Sequence, residues 1–104
     1  MAILHTVLFK IKEDAADEKA KEMMAAVAAF KNQLPELILS MHSGVDKSAQ
    51  TQGFSYSFTM IFKNKQDVDT YIASDAHTQF AQKIGYPLIK DAIIVDYEIP
   101  EPKF

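Results

Sequence analysis

The chain has 104 residues, 48% of them hydrophobic and 24% charged, with no cysteine and a formal net charge of −3. That composition fits one folded domain over residues 1–104 and excludes disulfides, thiolate nucleophiles and Cys-based metal sites. All eleven basic residues are lysine and lie among acids, as Lys19, Lys21 and Glu22 do, so the arginine forks and basic stripes of nucleic-acid readers are absent.

No apolar run approaches the roughly 20 residues of a membrane span. The opening residues Met-Ala-Ile-Leu-His lack the sections of a signal peptide. Cytoplasmic residence, with no membrane or nucleic-acid partner, is the expectation.

Residues Ile3 to Ile11 alternate and are rich in β-branched and aromatic types, which predicts a strand. Ile3, His5, Val7, Phe9 and Ile11 share one face; Leu4, Thr6, Leu8 and Lys10 share the other. From Ala16 to about Asn32 good helix formers dominate, and Met23, Met24, Val27 and Phe30 recur with helical spacing. Pro35 disfavours helical geometry at Leu34 and should end that helix. Leu37 to Val45 reads as a second strand, followed by a polar loop over residues 46–53. A third strand is predicted from Phe54 to Lys63, with Phe54, Tyr56, Phe58, Met60 and Phe62 on one face.

A short helix over Lys65–Ala73 brings Val68, Tyr71 and Ile72 to one side. Ser74 has the character of an N-cap for another helix, with His77 in its first turn. Phe80, Ile84 and Leu88 continue a row that Gly85 and Pro87 are expected to break. Ala92 to Ile99 is the last predicted strand, and Pro100 and Pro102 mark a tail.

The order β-α-β-β-α-β, with short connections and right-handed crossovers, predicts an α+β ferredoxin-like sandwich: four antiparallel strands with helices on one face. The other sheet face would then carry Leu4, Leu8, Ile93, Val95 and Tyr97, more apolar surface than a soluble monomer usually exposes. Pairing two sheets face to face in a homodimer would cover it and form a dimeric α/β barrel.

His5-Thr-Val-Leu-Phe-Lys-Ile-Lys12, Gly53-Phe-Ser-Tyr-Ser-Phe-Thr-Met-Ile-Phe62, Tyr71-Ile-Ala-Ser-Asp-Ala-His77 and Ile94-Val-Asp-Tyr97 together resemble the stress-responsive α/β-barrel (Dabb) family, from about Ile3 to Glu98. The resemblance implies a dimeric ferredoxin-like barrel. The family includes proteins of no assigned activity, plant stress proteins, and a polyketide cyclase, olivetolic acid cyclase, that performs an intramolecular aldol condensation. By motif, that enzyme's acid–base histidine falls on His77, its assisting tyrosine on Tyr71 and a further pocket histidine on His5. Aromatic residues lining its alkyl cavity fall on Met23, Met24 and Val27, and Tyr56 stands where it has another histidine. The resemblance thus implies a sheet–helix cavity bordered by Val7, Phe9, Tyr56, Phe58, Met23, Met24 and Val27.

Each of these residues also has a packing explanation. His77 in a first helical turn would have its pKa lowered by the helix dipole, leaving a neutral base beside a phenol able to stabilise an enolate. Packing alone would have His77 tie the helix to the strands and Tyr71 fill the core. His5 on an apolar strand face is more often a hydrogen-bonded core residue than a base. Met23 and Met24 more often complete a helix–sheet core than adapt to a ligand. Metal binding through His5, His77 and Asp75 lacks diagnostic spacing, so no metal and no cofactor is expected. His42 is placed toward solvent or the dimer interface, with no role. The leading reading is a dimeric barrel that binds or processes a small apolar carbonyl or aromatic metabolite. The alternatives are a non-catalytic structural or stress-tolerance protein, and cyclase-like aldol chemistry with His77 as base.

Overall fold

The computed structural model describes residues 1–48 and 52–101. Four strands, β1 (Ala2–Ile11), β2 (Ile38–Val45), β3 (Tyr56–Phe62) and β4 (Ile89–Ile99), form one sheet in the order β2-β3-β1-β4, with the neighbouring strands antiparallel. The helices are α1 (Asp17–Ala28), α2 (Phe30–Gln33), α3 (Lys65–Ala73), α4 (Asp75–Phe80) and α5 (Tyr86–Leu88), with a π-helical turn Ala81–Gly85 joining the last two. This is the predicted β-α-β-β-α-β sandwich.

Alternation does what it predicts on β1: Ile3, His5, Val7 and Phe9 are buried against the helices, while Leu4, Thr6 and Leu8 lie on the other face. Phe58, Met60 and Phe62 of β3 join the same inner face through the pairs Val7–Phe58, His5–Met60 and Ile3–Phe62. Met23, Val27 and Phe30 from α1 and α2, and Val68 and Tyr71 from α3, close the core over them. The opposite face of β4 carries Ile93, Val95 and Tyr97, which remain 42%, 46% and 52% exposed. His42 pairs with Thr59 on that open face and is exposed.

Several boundaries differ from expectation. The helix expected from Ala16 to about Asn32 divides at Ala29, where ψ opens to −17° and the Asn32 N–H reaches back only three residues to the Ala29 carbonyl. No residue in that run breaks a helix by propensity, so the division is not legible in composition. Phe54 precedes β3 rather than belonging to its inner row: its ring lies 4.5 Å from the Lys10 ammonium. Nor does the chain break at Gly85 and Pro87. The Tyr86 N–H donates to the Ala81 carbonyl, widening the helix by one residue, and Pro87 sits in the first turn of α5, where its missing N–H costs nothing. β4 in turn starts at Ile89, three residues before the predicted Ala92. Of the expected polar loop, residues 49–51 lie outside the described residues, as does the tail from Pro102. Gly53, at φ +91°, takes the left-handed conformation that glycine tolerates best where the chain turns toward β3.

Candidate functional site

Ser74 sets the geometry of the site. Its Oγ donates to the Tyr71 carbonyl at 2.6 Å, at the end of α3, and accepts from the His77 backbone N–H at 3.2 Å, at the start of α4. One residue thereby terminates one helix and caps the next, with an extended backbone between them. The bend turns the side chains of Tyr71 and His77 toward each other and toward β1. Their ring centroids stand 5.1 Å apart, and Tyr71 lies 5.8 Å from His5, edge to face in both cases.

His5, Tyr71 and His77 all line one half-enclosed cavity of about 290 Å³ between the sheet and the helical layer. Its floor is Val7, Phe9 and Phe58, with Ala92 and Ile94 from β4. Its roof is Ile72, Phe80, Ala81 and Gly85, and Tyr86 and Ile89 complete the wall. The walls are thus apolar and the polar groups few, the usual make-up of a small-molecule site.

The three polar side chains differ in how they are held. His5 is 3% exposed, and its Nδ1 donates to Asp96 Oδ1 on β4, the residue directly opposite it in the ladder. A carboxylate only accepts, so Nδ1 carries the hydrogen in this pair. The Tyr71 ring packs against Phe30 and Phe62, at centroid distances of 5.5 and 5.3 Å. Its hydroxyl makes no hydrogen bond among the described residues, yet no buried side-chain polar atom there lacks a partner. Tyr71 is among the residues that line the cavity. Burial pushes its pKa well above the ordinary range, so it is a neutral O–H donor near neutral pH.

His77 is half-buried, and its pKa is held below the usual value, first by burial and then by the imidazole of His5. A backbone hydrogen bond with Ile72 acts in the opposite sense. The direction is the expected one, but the leading cause is desolvation, not the helix dipole.

Three of the sequence-predicted lining residues, Val7, Phe9 and Phe58, border the cavity; Met23, Met24, Val27 and Tyr56 do not. Met23 and Val27 are fully buried in the helix–sheet core, while Met24 and Tyr56 pack against its margin. The space lies toward β4 and the π-helical turn, not toward α1. Asp96 was not among the expected site residues. Its one sequence signal is a carboxylate on an alternating strand, in the row of Ala92 and Ile94. Among the described residues no group of three or more His, Asp or Glu side chains could hold a metal ion. No helix among them is long and apolar enough to cross a membrane.

Because the Tyr71 hydroxyl makes no hydrogen bond among the described residues, Tyr71→Phe is expected to change stability by less than about 1 kcal/mol, the worth of a typical hydrogen bond. Urea denaturation of both proteins tests this, and a loss of about 2 kcal/mol or more would mean that the hydroxyl is tied into the core.

An antiparallel ferredoxin-like sheet, one helical layer and a histidine–tyrosine cavity between them define a small α+β protein with a sheet–helix pocket. Residues 3–99 match the Stress responsive A/B Barrel Domain (Dabb) model, and the chain belongs to that family. It is 31% identical over 98 residues to the stress-response A/B barrel domain-containing protein HS1 of Arabidopsis thaliana, covering 92% of this chain and 88% of that protein. Among solved structures, a hydroxynitrile lyase from Passiflora edulis has a TM-score of 0.83 at 19% identity, with 98% of this chain and 96% of that chain covered. A dimeric ferredoxin-like protein of unknown function from Thermobifida fusca has a TM-score of 0.81 at 17% identity, covering 95% and 92%. At those identities the two structures share the fold.

Proposed function

We propose that the protein is a homodimer that binds or processes a small, largely apolar carbonyl or aromatic metabolite in the cavity edged by His5, Tyr71 and His77. The observation that carries this reading is the convergence of those side chains on one apolar space, where the Tyr71 hydroxyl makes no hydrogen bond among the described residues. A core tyrosine serving packing alone would normally have its hydroxyl satisfied.

For a ketone with an acidic α C–H, the shared cavity supports the following division of roles. The unprotonated imidazole of His77 takes the proton as the C–H bond breaks. The electron pair moves onto the carbonyl oxygen, and the Tyr71 O–H donates to the resulting enolate oxygen. His5, oriented by Asp96, adds a second imidazole to the cavity wall. Cyclase-like aldol chemistry with His77 as base is the finer form of this proposal. The competing reading is a stress-tolerance protein whose barrel is its function; it draws on the ring packing around Tyr71 and on the stress-response name of the HS1 relative.

The homodimer rests on the apolar row Ile93, Val95 and Tyr97, exposed beside Leu4 and Leu8 on one sheet face. The described dimeric state of the Thermobifida fusca structure is in keeping with it.

Thermal shift across a panel of uncharged phenols, aryl ketones and aldehydes tests the ligand reading. Stabilisation that disappears in His77→Ala and Tyr71→Phe supports it; no shift with any compound would leave the barrel assembly as the function. The His77 imidazole also has a pH signature. Its folded pKa lies below the unfolded value of about 6.5. Above the unfolded value both states are neutral and nothing is lost. As pH falls through it toward the folded value, the unfolded chain binds the proton more readily and stability declines. The Tm of the wild type relative to His77→Gln is therefore expected to fall between about pH 8 and pH 5. Parallel curves for the two proteins would rule out the depressed imidazole.

A further inference from the structure

We infer that the cavity is completed by a second copy of this chain: β2 of the partner subunit runs along the free edge of β4 and closes the side on which Ile72, Tyr86 and Ile94 stand open. This rests on the homodimer and the ligand site proposed above, and adds that neither subunit alone holds a finished site.

Part of the cavity wall in a single subunit faces water. Among the lining residues, Ile72 is 43% exposed, Tyr86 74% and Ile94 62%. A side chain that both lines a cavity and meets solvent marks its opening. Ala92, also in the lining, is exposed as well. Ala92 and Ile94 belong to β4, the last strand on its side of the sheet, so the opening runs along that edge. A small-molecule site usually buries about 70–90% of its ligand. A ligand resting on Ile94 and Tyr86 of one subunit would keep one side in water.

β4 is itself an uncovered edge. It has 11 residues, contains no proline and carries Ile93, Ile94 and Val95 in succession, and every residue from Lys90 to Glu98 is exposed. An edge of that kind is a template for another strand. Pairing the open sheet faces covers Ile93 and Val95. Ile94 points to the cavity side, beside its ladder partner Val7, and its cover has to come from beyond the edge.

The opposite edge of the sheet supplies the strand. β2 has an unpaired edge of its own and carries no lysine, acid or proline that would oppose pairing. Its exposed Val45 stands on the helix side of the sheet, since it pairs with Tyr56, which pairs with Phe9. A twofold axis parallel to the strands reverses the order β2-β3-β1-β4 in the second sheet and brings β2 of each subunit to β4 of the other. Both free edges disappear, as in a closed barrel, and Ile93, Val95 and Tyr97 of both subunits point inside it. The face of β2 that bears Val45 of the partner subunit then continues past Ile94 at the opening of the cavity. An axis across the strands would set β4 on β4 and leave β2 uncovered.

The test compares wild type with Val95→Asp and Tyr97→Asp, both expected to be monomers by light scattering. Methyl NMR of Ile72 and Ile94 is recorded with a soluble gadolinium chelate, and each protein is titrated with acetophenone, an uncharged aryl ketone. Wild type diluted until it dissociates gives the same comparison without a substitution. The two methyls are expected to be shielded from the chelate in the dimer and broadened by it in the monomers. Acetophenone is expected to bind the monomers about tenfold or more weakly, the least that one methylene of lost apolar contact costs in a pocket. Methyls broadened as strongly in the dimer as in the monomers would overturn the inference, since the opening would persist in both. Methyls shielded in the monomers as well would also overturn it, because the cover would then be the subunit's own chain. If both variants stay dimeric, the open sheet face is not the interface and the inference falls. If wild type binds no acetophenone while the methyls behave as expected, the ligand reading fails and the closure by a second copy stands.

Discussion

Val95→Asp is expected to convert the protein from a dimer to a monomer at micromolar concentration, as read by light scattering. Val95 lies at the centre of an apolar row with Ile93 and Tyr97 on β4, opposite Leu8, Thr6 and Leu4 of β1. Within one subunit the site is open to water, so a carboxylate there costs the fold little. In a symmetric pairing of two such faces, each subunit would bury a charge against the apolar row of its counterpart. The desolvation cost of several kcal/mol per ion is enough to remove most or all of the dimer, because every 1.4 kcal/mol is a factor of ten in affinity. A dimer that survives the substitution would place the interface elsewhere, and a wild-type monomer would sink the pairing itself.

Phe62→Ala is expected to cost about 3–5 kcal/mol of folding stability, measured by urea or guanidinium denaturation. Phe62 is fully buried at the end of β3. Its ring lies 6.0 Å from that of His5 and 5.3 Å from that of Tyr71, so the same side chain supports the core and the floor under both polar groups. Truncation leaves a cavity between sheet and α3 that the rigid strand ladder cannot close. The loss is a large part of the roughly 5–15 kcal/mol available to a domain. It contrasts with Tyr71→Phe, which removes only an oxygen that makes no hydrogen bond among the described residues. A cost for Phe62→Ala below about 1.5 kcal/mol would mean that α3 collapses onto the sheet, and His5 and Tyr71 would then lose their spacing.

Local chemistry in the sequence was sufficient for most of the elements and for the faces of β1. Alternation on β1 separated Ile3, His5, Val7 and Phe9 from Leu4, Thr6 and Leu8, because a strand's period is two and each face meets a single environment. Helix α3 runs over the predicted Lys65–Ala73, and Ser74 caps the next helix, since caps depend on residues only three positions apart. Chain order and short connections then left few topologies, and the family resemblance pointed to the same one. The apolar row on the second sheet face could also be read directly, because a residue's face follows from its parity along the strand.

What lies outside local sequence was decided only by the assembled structure. Asp96 holds His5 across 91 residues through the β1–β4 register, which neither strand specifies alone. The expected lining by Met23, Met24 and Val27 depended on where helix and sheet leave a gap. Met23 and Val27 instead close the α1 side completely, and the open space lies beneath the π-helical turn, beside β4. That turn itself was expected to be a break at Gly85 and Pro87. Residue propensity shows where a helix is weak, but the packing of Ile84 and Leu88 on the core decides whether it stops or widens by one residue. The sequence thus determined most of the strands and helices, their faces and the candidate groups, whose causes lie within a few residues of each other. Tertiary packing and strand register decided which of those groups meet and where the cavity opens, because both depend on residues far apart in the chain.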